Sequence, residues 1–207
     1  MDQEKIWNSI ALPWKKFRAE RISEVSDFLK NKKGKILDLG CGSGRNFAKI
    51  DGVIYGVDFS EKMLKYAREY ADENSINVKL IKAPAYDLPF QDNFFDSAIF
   101  IASLHCIETA EKRKKALKEL FRVLKPDSEA IISVWDYNQE KFNGEEKESF
   151  ISWTHEGKKY LRHYYLYDKK EIIDLLNSVG FKIIKTMDRE NPDGIYSKKN
   201  IIIIAKK

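Results

Sequence analysis

Cysteine and long apolar runs are both scarce in this 207-residue chain. The two cysteines, Cys41 and Cys106, stand far apart and form no C-x-x-C pair, so the sequence indicates neither a disulfide framework nor a zinc site, and we expect no metal. No stretch approaches the roughly 18 apolar residues that a membrane-spanning helix needs, and residues 1–5 do not resemble the start of a signal peptide. These absences predict a cytoplasmic protein with reduced thiols and no membrane association.

Charged residues are plentiful but mixed in sign. They make up 33% of the chain, the apolar fraction is 43% and the net charge is +5, a composition typical of a folded domain rather than of disorder. The length fits a single domain, residues 1–207. Lysine and arginine are in excess at both ends of the chain, which could face a phosphate backbone but is more often plain solvated surface.

Short apolar strands alternate with helices along the chain. The alternation predicts an α/β fold, with a seven-stranded, mostly parallel sheet, an antiparallel C-terminal strand and helices on both faces. The predicted strands cover residues 35–39, 53–57, 78–82, 96–101, 130–135, 181–186 and 200–205. The predicted helices cover residues 43–50, 60–71, 110–124 and 169–179, preceded by an N-terminal helical segment of about residues 1–33 that we expect to form one helix. A polar and aromatic insertion, about residues 137–163, should roof the substrate side.

A glycine-rich turn follows the first predicted strand. The sequence there is Asp38-Leu39-Gly40-Cys41-Gly42-Ser43-Gly44, and glycines let the backbone turn sharply and approach a ligand closely. A dinucleotide site would need a glycine at position 45, where this chain has an arginine, so a pyrophosphate cradle is disfavoured.

An acidic residue, Asp58, ends the second predicted strand. A carboxylate at that point can accept both hydroxyl protons of a ribose diol, which favours a nucleoside ligand. Asp58 could instead serve as an acid at the start of the next helix, beside its predicted cap Ser60.

The glycine turn and the acid together resemble the first two motifs of the class I S-adenosylmethionine-dependent methyltransferases, which have a Rossmann-like fold. The resemblance implies that the turn lies against the methionine part of the cofactor, that Asp58 holds the ribose and that Phe59 covers the adenine. It implies S-adenosyl-L-homocysteine as the product. Residues 83–90 resemble the third motif, but Pro84 stands where an acid is usual, so the backbone of Ala85 or the side chain of Asp87 is left for the adenine amino group. The cofactor residues expected in full are Asp38, Gly40, Gly42, Gly44, Asn46, Asp58, Phe59, Ala85, Asp87 and Ile101.

A closer resemblance, to the tRNA methyltransferases that esterify 5-carboxymethyluridine at the wobble position, extends over most of the chain. It rests on residues 95–99, Leu104-His105, 109–113, 122–126, Val134-Trp135, Ser152-Trp153, 161–165 and Asn200. Three positions depart from that family, because Cys106 and Tyr165 stand in place of histidines and Ile201 in place of a tryptophan. The resemblance implies tRNA as substrate and a small zinc-binding activator subunit as partner, for which the strand at residues 78–82, expected at a sheet edge, would be available.

Two residues are candidates for contact with the acceptor. A carboxylate acceptor is already ionised at pH 7 and needs no general base, so the lack of an obvious Ser-His-Asp or paired-acid arrangement is no obstacle. The site must instead supply a cation, for which Arg162 is the candidate because its planar fork matches a carboxylate, although it could be a surface ion-pair partner. His105 is either a second acceptor contact or a buried histidine of the core. Phosphates of the anticodon stem are expected on Lys15, Lys16, Arg18 and Arg21.

Two other functions are compatible with the sequence. One is a methyltransferase for a small molecule such as a phenol or quinone precursor, since one fold serves many acceptors. The other is a protein that binds the cofactor without catalysis and acts within a complex.

Overall fold

A seven-stranded sheet forms the centre of the molecule. The structure is a computed structural model that describes residues 2–142, 146–188, 190, 192–194 and 196–207. The strands of the sheet are β1 (Lys33–Leu39), β2 (Asp51–Asp58), β3 (Val78–Lys82), β4 (Phe95–Ile101), β5 (Leu124–Trp135), β8 (Lys182–Met187) and β9 (Asn200–Lys206). The strand order is β3-β2-β1-β4-β5-β9-β8, and β9 runs antiparallel to both of its neighbours, β5 and β8. The predicted sheet, its antiparallel strand near the C-terminus and the edge position of β3 are confirmed.

Helices cover both faces of this sheet, as predicted. Alternate residues of one strand enter different cores, since Leu37 of β1 packs with α4 and α5 whereas Ile36 packs with α2 and α3. The helices are α1 (Gln3–Phe17), α2 (Ser23–Leu29), α3 (Glu61–Glu73), α4 (Ala110–Val123) and α5 (Lys169–Val179). Among the described residues, no helix is both long and apolar enough to cross a bilayer.

The N-terminal segment forms two helices, so the prediction of one helix is wrong. α1 ends at Phe17, and residues 18–22 lead into α2 with Ile22 extended before its first turn. α1 lies against α3, because the Asn8 Oδ1 accepts hydrogen bonds from the Ser60 hydroxyl at 2.9 Å and from the Lys62 N–H at 3.0 Å. The break therefore leaves the end of α1 above the carboxyl ends of the parallel strands.

The helix predicted for residues 43–50 is absent, since these residues form turns and irregular backbone. Gly44 has a φ of +83°, which an α-helix does not accommodate. β2 also begins at Asp51, earlier than predicted, which leaves too few residues for a crossover helix. The backbone hydrogen bonds described here close single turns: the Gly44 N–H donates to the Cys41 carbonyl at 3.0 Å and the Phe47 N–H to the Gly44 carbonyl at 2.9 Å.

The insertion contains a separate two-stranded antiparallel sheet, formed by β6 (Glu148–His155) and β7 (Lys158–Tyr165). It packs beside α1, where the Gln3 Oε1 accepts a hydrogen bond from the His163 N–H at 3.1 Å. Trp14 and Trp153 meet edge to face across this contact, with ring centroids 5.5 Å apart. The hairpin thus holds α1 over the end of the sheet.

Candidate functional site

A deep cleft opens at the carboxyl ends of β1, β2 and β4, beneath α1. It encloses about 1130 Å³ including the open space at its mouth. Ligands of open parallel sheets bind at this position. The predicted cofactor residues on its wall are Gly40, Gly42, Asn46, Asp58, Phe59, Ala85 and Ile101.

The glycine turn brings bare backbone to the cleft. Gly40 has a φ of +67°, and a Cβ there would lie 2.4 Å from the Ser103 Oγ, whose hydroxyl donates to the Gly40 carbonyl at 3.0 Å. Gly42 has a φ of +54°, and a Cβ on it would meet no heavy atom within 4 Å apart from its chain neighbours. The space beside Gly42 is therefore free for a ligand.

The carboxylate of Asp58 is fixed by two backbone bonds. Its Oδ2 accepts from the Gly42 N–H at 2.9 Å and its Oδ1 from the Ser60 N–H at 2.8 Å. Burial raises the pKa of Asp58 to about 6, while these hydrogen bonds oppose the rise. The cap of α3 is Ser60, whose Oγ accepts from the Met63 N–H at 3.2 Å, so Asp58 is not needed for capping and keeps lone pairs for a ligand.

Two buried acceptors beside the turn have no hydrogen-bond partner among the described residues. They are the Oδ2 of Asp38, which is 1% exposed, and the Oδ1 of Asn46. Burial, with a smaller contribution from Asp58, raises the pKa of Asp38 to about 8, against the attraction of Arg45. A buried acceptor without a donor is costly, so these atoms mark a place where a ligand with N–H groups would fit.

Three predicted cofactor residues lie off the cleft wall. Asp38, one residue before the end of β1, is buried beside the cleft rather than on its wall. Gly44 is a packing position, because a Cβ there would lie 2.8 Å from the Phe47 ring. Asp87 is exposed, whereas Ala85 lines the cleft. Of the two alternatives for the adenine amino group, the geometry favours the Ala85 backbone.

Arg162 is buried among aromatic rings and does not line the cleft. Its guanidinium carbon lies 5.7 Å from the ring centroid of Trp7, 5.1 Å from Trp14 and 5.4 Å from Trp153. One of its N–H groups donates to the Tyr164 hydroxyl at 2.6 Å. Trp7 and Trp14 do line the cleft, so Arg162 lies behind its wall.

His105 is also packed inside rather than exposed to the cleft. It is 1% exposed, its Nδ1 accepts from the Trp135 N–H at 3.2 Å, and its ring stacks on Tyr164 with centroids 5.2 Å apart. This arrangement is the one expected for a buried histidine of the core.

The two thiols on the cleft wall are uncharged. Burial raises the pKa of Cys106 to about 12 and that of Cys41 well above its ordinary value. Because a thiolate is the nucleophilic form, neither cysteine is suited to covalent catalysis.

Two arginines on the cleft wall, Arg18 and Arg45, were not assigned to it from the sequence. Arg18 follows the last turn of α1, and Arg45 follows the glycine turn directly. Neither forms an ion pair with any residue in the described part of the chain. The signal for Arg45 was its place beside the turn, but nothing local in the sequence showed where Arg18 would lie.

The other cations predicted to contact phosphates differ in their surroundings. Lys15 forms an ion pair with Glu69 at 3.0 Å, and an N–H of Arg21 donates to the Phe47 carbonyl. Lys16 is exposed. Within the described ranges, no group of three or more histidine, cysteine, aspartate or glutamate side chains is placed to hold a metal ion.

Comparison with known proteins shows which family the region around the cleft resembles. Residues 37–132 match the family described as "Methyltransferase domain". Over 163 residues the chain is 31% identical to the tRNA (carboxymethyluridine(34)-5-O)-methyltransferase of Arabidopsis thaliana, covering 77% of this chain and 38% of that protein. An uncharacterized protein of Methanocaldococcus jannaschii is 36% identical over 157 residues, covering 74% of this chain and 67% of that protein. The chain thus spans well under half of the plant relative.

A solved structure shares the fold. The 1,6-didemethyltoxoflavin-N1-methyltransferase of Burkholderia thailandensis, with bound 1,6-didemethyltoxoflavin and S-adenosylhomocysteine, superposes with a TM-score of 0.73 at 18% identity. The match covers 99% of this chain and 86% of that one.

Proposed function

We propose that this chain, which belongs to the class I S-adenosylmethionine-dependent methyltransferases, methylates the carboxylate of 5-carboxymethyluridine at the wobble position of a tRNA. The observation that carries the acceptor is the cleft wall. This wall presents two arginines, Arg18 and Arg45, which have no ion-pair partners in the described structure. None of the described histidines or lysines lines the cleft. Such a wall suits an acceptor that is already an anion better than one that must first lose a proton.

The residues present fit the cofactor. Asp58 would accept the ribose hydroxyls, the orphan oxygens of Asp38 and Asn46 would accept from the methionine ammonium, and Phe59 with the Ala85 backbone would border the adenine. When bound, S-adenosylmethionine supplies a methyl group on a positively charged sulfur.

The chain's own part in the reaction is to position the acceptor and exclude water. Trp7, Trp14 and Tyr86 on the wall provide apolar surface over the cleft, and the arginines provide donors for a carboxylate. Since a carboxylate is ionised at neutral pH, no side chain has to remove a proton. Arg162 would reach a ligand only if Trp7 and Trp14 moved, so we assign it the role of supporting those rings, together with His105 beneath Tyr164.

The proposal is tested by mass spectrometry of tRNA nucleosides from the source organism with the gene deleted. We expect 5-carboxymethyluridine to accumulate and its methyl ester to disappear. Unchanged wobble nucleosides would count against the tRNA substrate.

A small-molecule acceptor is the second candidate. It is favoured by the structural similarity to an enzyme whose name gives a toxoflavin precursor as substrate, and by the aromatic side chains around the cleft. That function predicts turnover on a free phenol or quinone precursor and no binding of tRNA.

We also propose a small zinc-binding activator as partner. The observation that supports it is the edge position of β3, which leaves one side of that strand without a paired neighbour in the described sheet. Co-expression with such a subunit should raise solubility and activity, and full activity of the isolated chain on its natural substrate would argue against it.

A further inference from the structure

A second cavity lies beside the cofactor cleft and shares Arg18 and Arg45 with it. It encloses about 1440 Å³ including its mouth, and lies between residues 16–23 after α1, the end of β5 at Trp135 and the start of β9 at Asn200. The two spaces adjoin, so one extended ligand could occupy both. The two arginines form the junction between them.

The wall of the second cavity is strongly basic. Five cations line it and only one carboxylate, that of Glu20. The cations are Lys16, Arg18, Arg21, Arg45 and Lys199, and none of them forms an ion pair with a described residue. Five cations gathered around one space with a single carboxylate repel each other, so the arrangement favours an anionic occupant.

Three buried polar atoms on residues of this wall have no hydrogen-bond partner in the described structure. Two are donors, the Nε of Arg18 and the Nε of Arg21, and one is an acceptor, the Oδ1 of Asn200. Buried polar groups of a folded protein normally form hydrogen bonds. A ligand rich in hydrogen-bond acceptors that also carries a donor would satisfy these atoms.

Aromatic side chains lie on the same wall as the cations. Phe17 is 60% exposed, and Trp135 and Tyr196 line the same wall. Rings beside cations in an open groove are the arrangement that binds single-stranded nucleic acid, with bases on the rings and phosphates on the cations.

We propose that this second cavity binds the single-stranded RNA that flanks the acceptor nucleotide, while Arg18 and Arg45 at the junction hold the carboxylate of the acceptor. The inference rests on the proposed function and assigns it a site. Lys16 and Lys199 contact phosphates, and Asn200 accepts from a base or sugar donor. An extended strand has both the acceptor-rich backbone and the length that one small anion lacks.

The phosphate contacts are tested with the double variant Lys16→Gln, Lys199→Gln. The matched control is Lys114→Gln, Lys115→Gln, which removes two exposed charges from α4 on the opposite face of the sheet. Binding of a fluorescent anticodon stem-loop is measured by anisotropy between 50 and ~300 mM salt. The cavity double should lose about tenfold or more in affinity and show a shallower salt dependence by about 1.4, whereas the control stays near wild type. Equal losses in both doubles, or no RNA binding by the wild type, would overturn the proposal.

The junction is tested by single-turnover methylation of a stem-loop that carries 5-carboxymethyluridine. Arg18→Gln should lower the rate about 10- to 100-fold with cofactor affinity unchanged, and Arg18→Lys should be intermediate because it keeps the charge but loses the fork. Wild-type rates in Arg18→Gln would remove Arg18 from the acceptor site. If the wild type binds the stem-loop through the cavity but transfers no methyl group, the RNA site stands and the proposed reaction fails.

Discussion

Buried carboxyl groups give the cofactor cleft its most distinctive chemistry at the scale of single residues. Asp38 and Asp58 are both nearly inaccessible to solvent and no lysine or arginine lies within 4 Å of either in the described structure. Burial raises the pKa of each, to about 8 and about 6, so the folded chain holds protons that an unfolded chain would have released. Stability of the free protein should therefore fall as the pH rises from about 4 to about 8.

The same shift predicts how cofactor binding depends on pH. An ammonium beside Asp38 favours its carboxylate, so binding at pH 7 should release close to one proton, given a pKa of about 8 in the free protein. The affinity should rise by up to about tenfold per unit between pH 6 and 8 and level off above pH 8. Calorimetry in two buffers of different ionisation enthalpy measures both quantities. Asp38→Asn should lower the affinity and abolish its pH dependence, and a flat profile in the wild type would place the ammonium elsewhere.

Asp58 should contribute to the affinity in a different way. Asp58→Ala leaves the ribose hydroxyls without an acceptor and should weaken S-adenosylmethionine binding by about 1.5 to 3 kcal/mol. It also removes the acceptor for the Gly42 and Ser60 N–H groups, so thermal unfolding must be followed in parallel, with Asp58→Asn as the milder variant. Unchanged affinity in a folded Asp58→Ala protein would exclude Asp58 from the ribose site.

The site residues differ in how far sequence could locate them. Gly42 and Asp58 lie at or just after the ends of β1 and β2, so the glycine motif and the strand-end acid were sufficient to place them in the cleft. Arg162 and His105 depend on which side chains surround them. Arg162 lies among tryptophans of α1 and the hairpin, and His105 lies against Trp135 and Tyr164. The Arg18 position depends on where α1 ends, which the apolar spacing did not show.

At the scale of elements, the glycine turn sets the limit on how closely a ligand can approach. A Cβ at Gly42 would enter open space, so Gly42→Ala should cost the fold only the strain of a left-handed alanine, about 1 to 2 kcal/mol. The methyl group would occupy the space beside the cofactor, so binding should be lost or reduced by at least about tenfold. Gly157→Ala is a matched control, with a φ of +74° and open space around its Cβ in the hairpin turn. Equal cofactor affinity in the two variants would show that Gly42 does not border the ligand.

Substitutions of Arg162 test the contact between α1 and the hairpin. If it supports the tryptophans, Arg162→Ala should destabilise the protein by about 2 to 4 kcal/mol through the cavity left among the rings. Arg162→Met, which fills that space without charge, should restore most of the stability and the methylation rate. A stable Arg162→Met protein whose rate falls about a hundredfold would instead establish Arg162 as the carboxylate-binding residue.

Helices and strands were predictable where the apolar periodicity was strong. They were uncertain where the length of the segment between two strands decided whether a helix could form. β4 and α4 came within one residue of their observed bounds, because β4 is buried almost throughout and α4 carries its buried residues at helical spacing. The helix predicted at residues 43–50 followed the usual need of parallel strands for a helical crossover, but the early start of β2 left no room for it. β6 alternates exposed and half-buried residues, a strand signal that the aromatic content of the insertion obscured.

At the scale of the whole molecule, the alternation of strands and helices determined the architecture and therefore the location of the cleft. The carboxyl ends of β1 and β2 carry the residues that we propose to hold the cofactor, and the segment after α1 adds a basic cavity beside them. The sequence placed its excess of positive charge at both ends of the chain. The fold brings Lys16 from one end and Lys199 from the other to the same cavity, a long-range meeting that no local pattern contains.

The most direct test of the account is methyl transfer to a defined RNA. The purified chain, alone and with a small zinc-binding activator, is incubated with S-adenosylmethionine labelled in its methyl group and an anticodon stem-loop carrying 5-carboxymethyluridine or plain uridine. We predict label only in the carboxymethylated RNA, released as methanol by mild alkali because the product is an ester. Absence of label in that RNA under both conditions, together with turnover on a free phenol, would contradict the account.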